Sequence, residues 1–332
     1  MSGQSQHGRL RGRYGHPIFW TAALLTLQLV FGYAQEAGSG PAQAQAEAAP
    51  PSRKTVHSLQ PYLDPRALYL RSDVALVLDE ETDGVLYEKN VTTRRPIASL
   101  TKLMTAMVVL DAGLPGDEVI TITKDDRDRL RGSDSRLSFG TKLTRRDLLK
   151  IALAGSDNRA AAALGRTFPG GTKAMVVAMN RKAEALGMAH TEFQDPAGLR
   201  SGNLSTAGEL AALAEAASRY PMIRNYTTLK TDFVTDQRTG WKIHFVNTNR
   251  LVRNGKWEIG LSKTGYIADA GHCLVMRVAL ADRPVTVVLL NSWGTLTKYG
   301  DANRIRAWLN RADEKARKAR SLVASAGPAG GI

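Results

Sequence analysis

Apolar and polar positions change rhythm several times between residues 70 and 310, and each change marks a new kind of element. The stretch "VALVLDEETDGVLYEKN" (74–90) is two β-rich runs around a polar turn at Asp83–Gly84, which predicts an antiparallel hairpin. "PIASLTKLMTAMVVL" (96–110) then reads as a helix with no polar face, since Leu100, Leu103, Met104, Met107, Val108, Val109 and Leu110 surround it. "VITIT" (119–123) suggests a short strand. "TRRDLLKIALAG" (144–155) starts at a capping Thr144 and predicts a helix ending at Gly155. Three more helical patterns follow at 158–166, 172–187 and 206–220. Beyond Tyr226 the runs "FVNTNRLV", "EIGLSKTGY", "CLVMRVALA" and "PVTVVLLNS" are strand-like, and "DANRIRAWLNRA" closes as a helix. A hairpin, a block of helices, then strands and a last helix predict an α+β fold: an antiparallel β-sheet flanked by helices with an inserted helical subdomain.

The ends follow other patterns. Arg9, Arg11 and Arg13 precede the apolar run "IFWTAALLTLQLVF" and the small-residue site Gly32–Ala34. Basic, apolar and small in that order predict an export signal over 1–34, and hence a periplasmic protein; the run is shorter than the roughly twenty residues that span a bilayer. The competing reading is an uncleaved membrane anchor with Trp20 and Tyr33 at the interfaces. Residues 35–60, rich in Ala, Gln and Pro, are expected to be a disordered linker. That leaves 61–311 for the main folded domain and 312–332 for a basic, partly disordered tail.

Net charge of +14 is diffuse rather than concentrated, and aromatic residues do not alternate with basic ones. Nucleic acid is therefore not expected as a partner, whereas weak attraction to a membrane or anionic envelope surface is. The lone Cys273 allows no internal disulfide, and its apolar context "CLVM" reads as a buried, inert thiol.

Lys102 is the anomaly, because an ammonium in an all-apolar helix must be paired, neutralised or used. Ser99 lies three residues earlier on the same face. An amine whose pKa is lowered by a dry pocket can take a serine proton near neutral pH. Pro96, favoured in a first helical turn, places Ser99 close to the helix start, where free N–H groups favour a developing oxyanion. Taken alone, the pair fits a snorkelling lysine equally well. Ser156–Asp157–Asn158 and Lys263–Thr264–Gly265 follow in order, completing S-x-x-K, S-D-N and K-T-G, a set shared by penicillin-binding proteins and class A β-lactamases. Lys263 would supply a fixed positive charge for a substrate carboxylate, Thr264 a hydrogen bond to it, and Gly265 room for close approach.

At these motifs the chain resembles the serine D-alanyl-D-alanine peptidases, the low-molecular-mass penicillin-binding proteins. "RPIASLTKLMTAMVVLDAG", "LLKIALAGSDNRAAAAL", "AMNRKAEALGMAHTEFQDPAGL", "NLSTAGELAALA", "NTNRLV" and "GLSKTGYIADAGHCLVM" carry the likeness across about 70–310. The last two blocks, and the absence of room for a further β domain after the K-T-G strand, are most similar to the endopeptidase branch of penicillin-binding protein 7. The resemblance implies acyl-enzyme chemistry on peptidoglycan stem peptides, with β-lactams as covalent inhibitors and no cofactor or metal. It implies Ser99 as nucleophile, Lys102 as general base, Ser156 and Asn158 at the scissile bond, Lys263 and Thr264 on the substrate, and the backbone N–H groups of Ser99 and Tyr266 as an oxyanion hole. Asp157 receives no direct role.

Alternatives within this reading are a carboxypeptidase, a β-lactamase and a non-catalytic wall-binding protein. Against the β-lactamase, Glu192 and Glu209 lack the Glu-x-x-Leu-Asn context of its deacylating base. Against a metal amidase, His244 and His272 have no carboxylate at ligand spacing.

Overall fold

The computed structural model describes residues 58–325. The signal-like segment and nearly all of the linker lie outside them. In chain order the elements are β1 (Ser72–Asp79), β2 (Gly84–Lys89), β3 (Arg95–Pro96), α1 (Thr101–Asp111), β4 (Val119–Thr121), β5 (Lys142–Thr144), α2 (Arg145–Ala154), α3 (Asn158–Arg166) and α4 (Gly171–Ala185). Then come β6 (Leu204–Ser205), α5 (Ala207–Ser218), α6 (Pro221–Thr228), β7 (Thr231–Thr235), β8 (Lys242–Val246), α7 (Arg250–Asn254), β9 (Ile259–Ile267), β10 (Gly271–Leu280), β11 (Arg283–Ser292) and α8 (Thr297–Ser325).

The main sheet is antiparallel, ordered β2-β1-β11-β10-β9, so the last three strands fold back against the first hairpin and β9 forms an edge. Both faces are covered. Val74, Leu76, Leu261, Cys273, Val275, Val288 and Leu290 face α5 and α6 and share one core with α1, α2 and α3. Ala75, Val77, Leu274, Met276, Val287 and Leu289 pack towards Ile305, Trp308 and Leu309 of α8. Double coverage explains why β1, β10 and β11 read as continuous apolar runs rather than strict alternation. The α+β arrangement anticipated from the order of elements is the one observed. Cys273 is fully buried, and burial pushes its thiol up to about 11.

α1 is buried from Thr101 to Val109, as its lack of a polar face requires. Its start differs from expectation. Pro96 does not open the helix; it pairs in β3 with Leu204 of β6. Ala98–Leu100 instead forms a 3₁₀ turn ahead of α1, with Ala98 at φ +47°. The backbone is held there because Ile97 N–H donates to Asn203 O at 3.0 Å.

Other boundaries also move. Of the strand-like "FVNTNRLV", only Phe245 and Val246 lie in β8, while Arg250–Asn254 is helical. The Asn249 side chain accepts from Leu251 N–H, a helix cap that outweighs the strand-like apolar pair Leu251–Val252 after it. The closing helix runs to Ser325, into the segment expected as a partly disordered tail; Ala316 is fully buried, and Arg317 pairs with Asp313 and Asp282. At the other end Leu59, inside the expected linker, is buried in the α8-side core. The hairpin β7–β8 and helix α6 had no strong signal, since "TDFVT" is short and polar at both ends.

Candidate active site

The site lies where the start of α1, the turn between α2 and α3, and the edge strand β9 converge. Lys102, 1% exposed, makes three contacts of 2.7 Å: to Ser99 Oγ, Asn158 Oδ1 and Ala197 O. A neutral amine has two N–H groups and one lone pair. As an ammonium, Lys102 donates to all three; once deprotonated it still donates to the amide and the carbonyl and keeps a lone pair for the serine hydroxyl, so both states satisfy every partner. Burial lowers the Lys102 pKa to about 8, against the opposing pull of Asp195, Asp157 and Asp128.

Asn158 is oriented from behind. Its Nδ2 donates to Ser133 Oγ at 2.8 Å, and Ser133 Oγ donates to Asp128 Oδ2 at 2.6 Å. With Nδ2 committed, Oδ1 faces Lys102. Asp157 caps α3 by accepting from Ala160 N–H and also takes a hydrogen bond from Ser135 Oγ, so its role is to hold the turn.

Ser156 occupies that turn at φ +58°, a left-handed conformation that aims its side chain at the sheet. Its Oγ accepts from Lys263 Nζ over 2.8 Å. Lys263 is 1% exposed and has Thr264 O as its other acceptor. Burial and, secondarily, the nearby Lys102 hold its pKa well below the ordinary lysine range. An anion arriving beside it would offset that cost and favour its charged form.

Thr264 Oγ1 stands 2.7 Å from Thr248 Oγ1. A Cβ at Gly265 would crowd Ile97 O and Ser99 N at 3.0 Å each, tighter than ordinary van der Waals contact. β9 thus runs directly beside the Ser99 backbone N–H. Tyr266, next along the strand, exposes its ring and stacks it on His272 at 4.3 Å. The structure brings Ser99, Lys102, Ser156, Asn158, Lys263, Thr264 and Gly265 together, with Tyr266 at the rim.

Sequence reasoning missed the support. Asp195 accepts from Ala197, Gly198, Leu199 and Arg200 N–H groups and from Asn203 Nδ2. This knot presents the Ala197 carbonyl to Lys102. Its signal was the Asp195–Pro196 turn dipeptide. Ser133 and Thr248 had no local signal.

The residues weighed for rival chemistries are occupied elsewhere. Glu192 pairs with Arg94, and Glu209 accepts from Thr191 and contacts His190. His244 bonds Thr231 at 2.6 Å on β8. Among the described residues no group of three or more His, Cys, Asp or Glu is placed to hold a metal.

A family model described as D-alanyl-D-alanine carboxypeptidase matches residues 62–294. The chain is 46% identical over 240 residues to a D-alanyl-D-alanine endopeptidase of Pseudomonas aeruginosa, covering 72% of this chain and 77% of the relative. It is 42% identical, with the same coverage, to the D-alanyl-D-alanine endopeptidase of Escherichia coli. Among solved structures it is similar to the Streptomyces K15 DD-transpeptidase, at TM-score 0.67 and 28% identity over 72% of this chain and 97% of that one. It is also similar to penicillin-binding protein D2 of Listeria monocytogenes, determined with ampicillin bound, at TM-score 0.62 and 28% identity over 73% of this chain and 98% of that one.

Proposed function

This chain belongs to the D-alanyl-D-alanine carboxypeptidase family, and from that premise we propose that it is the serine D-Ala-D-Ala endopeptidase of the group. It is a penicillin-sensitive hydrolase that opens D-alanyl peptide cross-links of peptidoglycan through an acyl-enzyme, acting outside the cytoplasm. The endopeptidase reading is preferred over the carboxypeptidase because endopeptidases are 42% and 46% identical to it, whereas a carboxypeptidase of Bacillus subtilis is 33% identical.

The observation that carries the mechanism is the 2.7 Å contact between Lys102 Nζ and Ser99 Oγ in a water-poor cleft. In this reading neutral Lys102 takes the Ser99 proton as Oγ bonds to the D-alanyl carbonyl carbon. The N–H groups of Ser99 and Tyr266 hold the resulting oxyanion; losing one such donor typically costs about 10²–10³ in rate. The peptide C–N bond then breaks, and the departing amine receives the proton through the Ser156 hydroxyl. The Asn158 Nδ2 N–H that Ser133 does not take holds a substrate carbonyl, while Lys263 and Thr264 bind the substrate carboxylate. Water then hydrolyses the ester, with Lys102 again as the base.

We further assign 1–34 to a cleaved export signal, which would place the enzyme in the periplasm. Among the described residues no helix is long and apolar enough to cross a membrane. The basic end of α8, with Lys315, Arg317, Lys318 and Arg320, suits a weak association with anionic envelope surfaces.

Digestion of purified cross-linked muropeptide dimers beside a pentapeptide monomer, followed by mass analysis, tests this. Monomer release from the dimer with the pentapeptide intact is expected. Loss of terminal D-Ala from the pentapeptide with untouched dimers would make the chain a carboxypeptidase instead. Labelled penicillin should form a long-lived adduct on wild type and none on Ser99→Ala.

A further inference from the structure

Thr248 lies between β8 and α7, and each of its polar groups is engaged across an element boundary. Its N–H donates to Ala154 O over 3.0 Å, two residues ahead of Ser156. Its carbonyl accepts from Tyr299 Oη of α8 at 3.1 Å. With both backbone groups held, its hydroxyl rests 2.7 Å from Thr264 Oγ1. Because Ser156 Oγ accepts from Lys263 at 2.8 Å, the contacts close a ring through 154–156, 263–264 and 248. The next residue along the loop, Asn249, is fully buried and donates to Ser262 Oγ at 3.1 Å, which seats the loop against the back of β9.

A single proton can lie between the two threonine hydroxyls. If Thr264 donates it to Thr248, Thr264 has only lone pairs left to present to a ligand, and a carboxylate has no proton to offer them. If Thr248 is the donor, the Thr264 proton is free to point outward at an anion, and the two bonds polarise each other. The geometry points to Thr248 as a positioning residue that donates to Thr264 Oγ1 and thereby makes the site selective for a free carboxylate over a neutral ester or amide. This inference rests on the reading of Thr264 as a carboxylate-binding group.

The test is the second-order acylation rate with benzylpenicillin and with its methyl ester, in which the carboxylate is masked. Wild type, Thr248→Ala, Thr248→Val, Thr248→Ser and Thr264→Val are compared after thermal unfolding has established that each is folded. Removing the Thr248 hydroxyl takes away the bond that orients and polarises the Thr264 hydroxyl, so acylation by the free acid should slow by about three- to tenfold with the ester rate within about twofold, and Thr248→Ser should restore the acid rate. Equal losses on acid and ester, or no loss in Thr248→Ala and Thr248→Val, would overturn the inference while leaving the Thr264 reading intact, provided that Thr264→Val itself shows the acid-selective loss. Absence of that loss in Thr264→Val would remove the reading of Thr264 and the inference with it.

Discussion

Gly198 lies so close beneath Ala98 that a Cβ on the glycine would stand 2.0 Å from the Ala98 carbonyl oxygen and 3.0 Å from Ser99 N. The glycine itself has φ +80°, and Ala98 has φ +47°. Two backbone segments in left-handed conformations therefore support each other directly behind the proposed nucleophile. Gly198→Ala must both strain its own backbone and displace the 3₁₀ turn. Such a residue costs roughly 1–3 kcal/mol in backbone strain alone. We expect a lower unfolding midpoint and at least a hundredfold slower penicillin acylation, measured on the folded fraction.

Lys102 must be uncharged to accept a proton, and its pKa is lowered to about 8 by burial. Below that value acylation should rise about tenfold per pH unit, and it should level off above it. The same shift acts on stability with a definite sign. Between about pH 8 and the ordinary lysine value of 10.5, the unfolded chain holds a proton that the native one has released, so this group adds stability as pH rises through that window. A pH–rate profile with no inflection near 8 would contradict the role given to Lys102.

Asp195 serves two ends at once. It gathers the N–H groups of 197–200, and its charge is the largest of the three that resist the lowering of the Lys102 pKa. Asp195→Asn should cost about 2–3 kcal/mol of stability, in the range of hydrogen bonds to a charged group. It should also move the acylation inflection to lower pH. Chemical denaturation and the pH–rate profile read the two effects separately.

Lys263 is held below the ordinary range by burial and by Lys102. A carboxylate entering beside it should raise its pKa, so binding takes up protons from solution. Calorimetry of a D-Ala-terminated peptide on Ser99→Ala, repeated in buffers of different ionisation enthalpy near neutral pH, should reveal net uptake of up to about one proton. Heat independent of the buffer would show that Lys263 is already charged.

Much of this protein could be read along the chain. The apolar runs at 74–78 and 287–290 read as strands, and the all-apolar stretch from Leu100 demanded a buried helix. Three short motifs in order then selected Ser99, Lys102, Ser156, Asn158, Lys263 and Thr264, because chemistry restricts residue type as strongly as packing does. Local patterns failed where a few side chains overrule propensity. Asn249 turned "NRLV" into a helical turn, and the Ile97–Asn203 hydrogen bond drew Pro96 into a strand.

Residue identity and order determined most of the elements, the candidate nucleophile and base, and the family. Tertiary structure alone decided which state those groups occupy. That the Lys102 ammonium loses its proton easily, that Asn158 turns its oxygen rather than its nitrogen inward, and that Thr264 has Thr248 behind it all depend on residues 16 to 95 positions away in sequence. The reason is physical: a pKa and a hydrogen-bond direction are set by what lies within a few ångströms, and only folding brings those neighbours within reach.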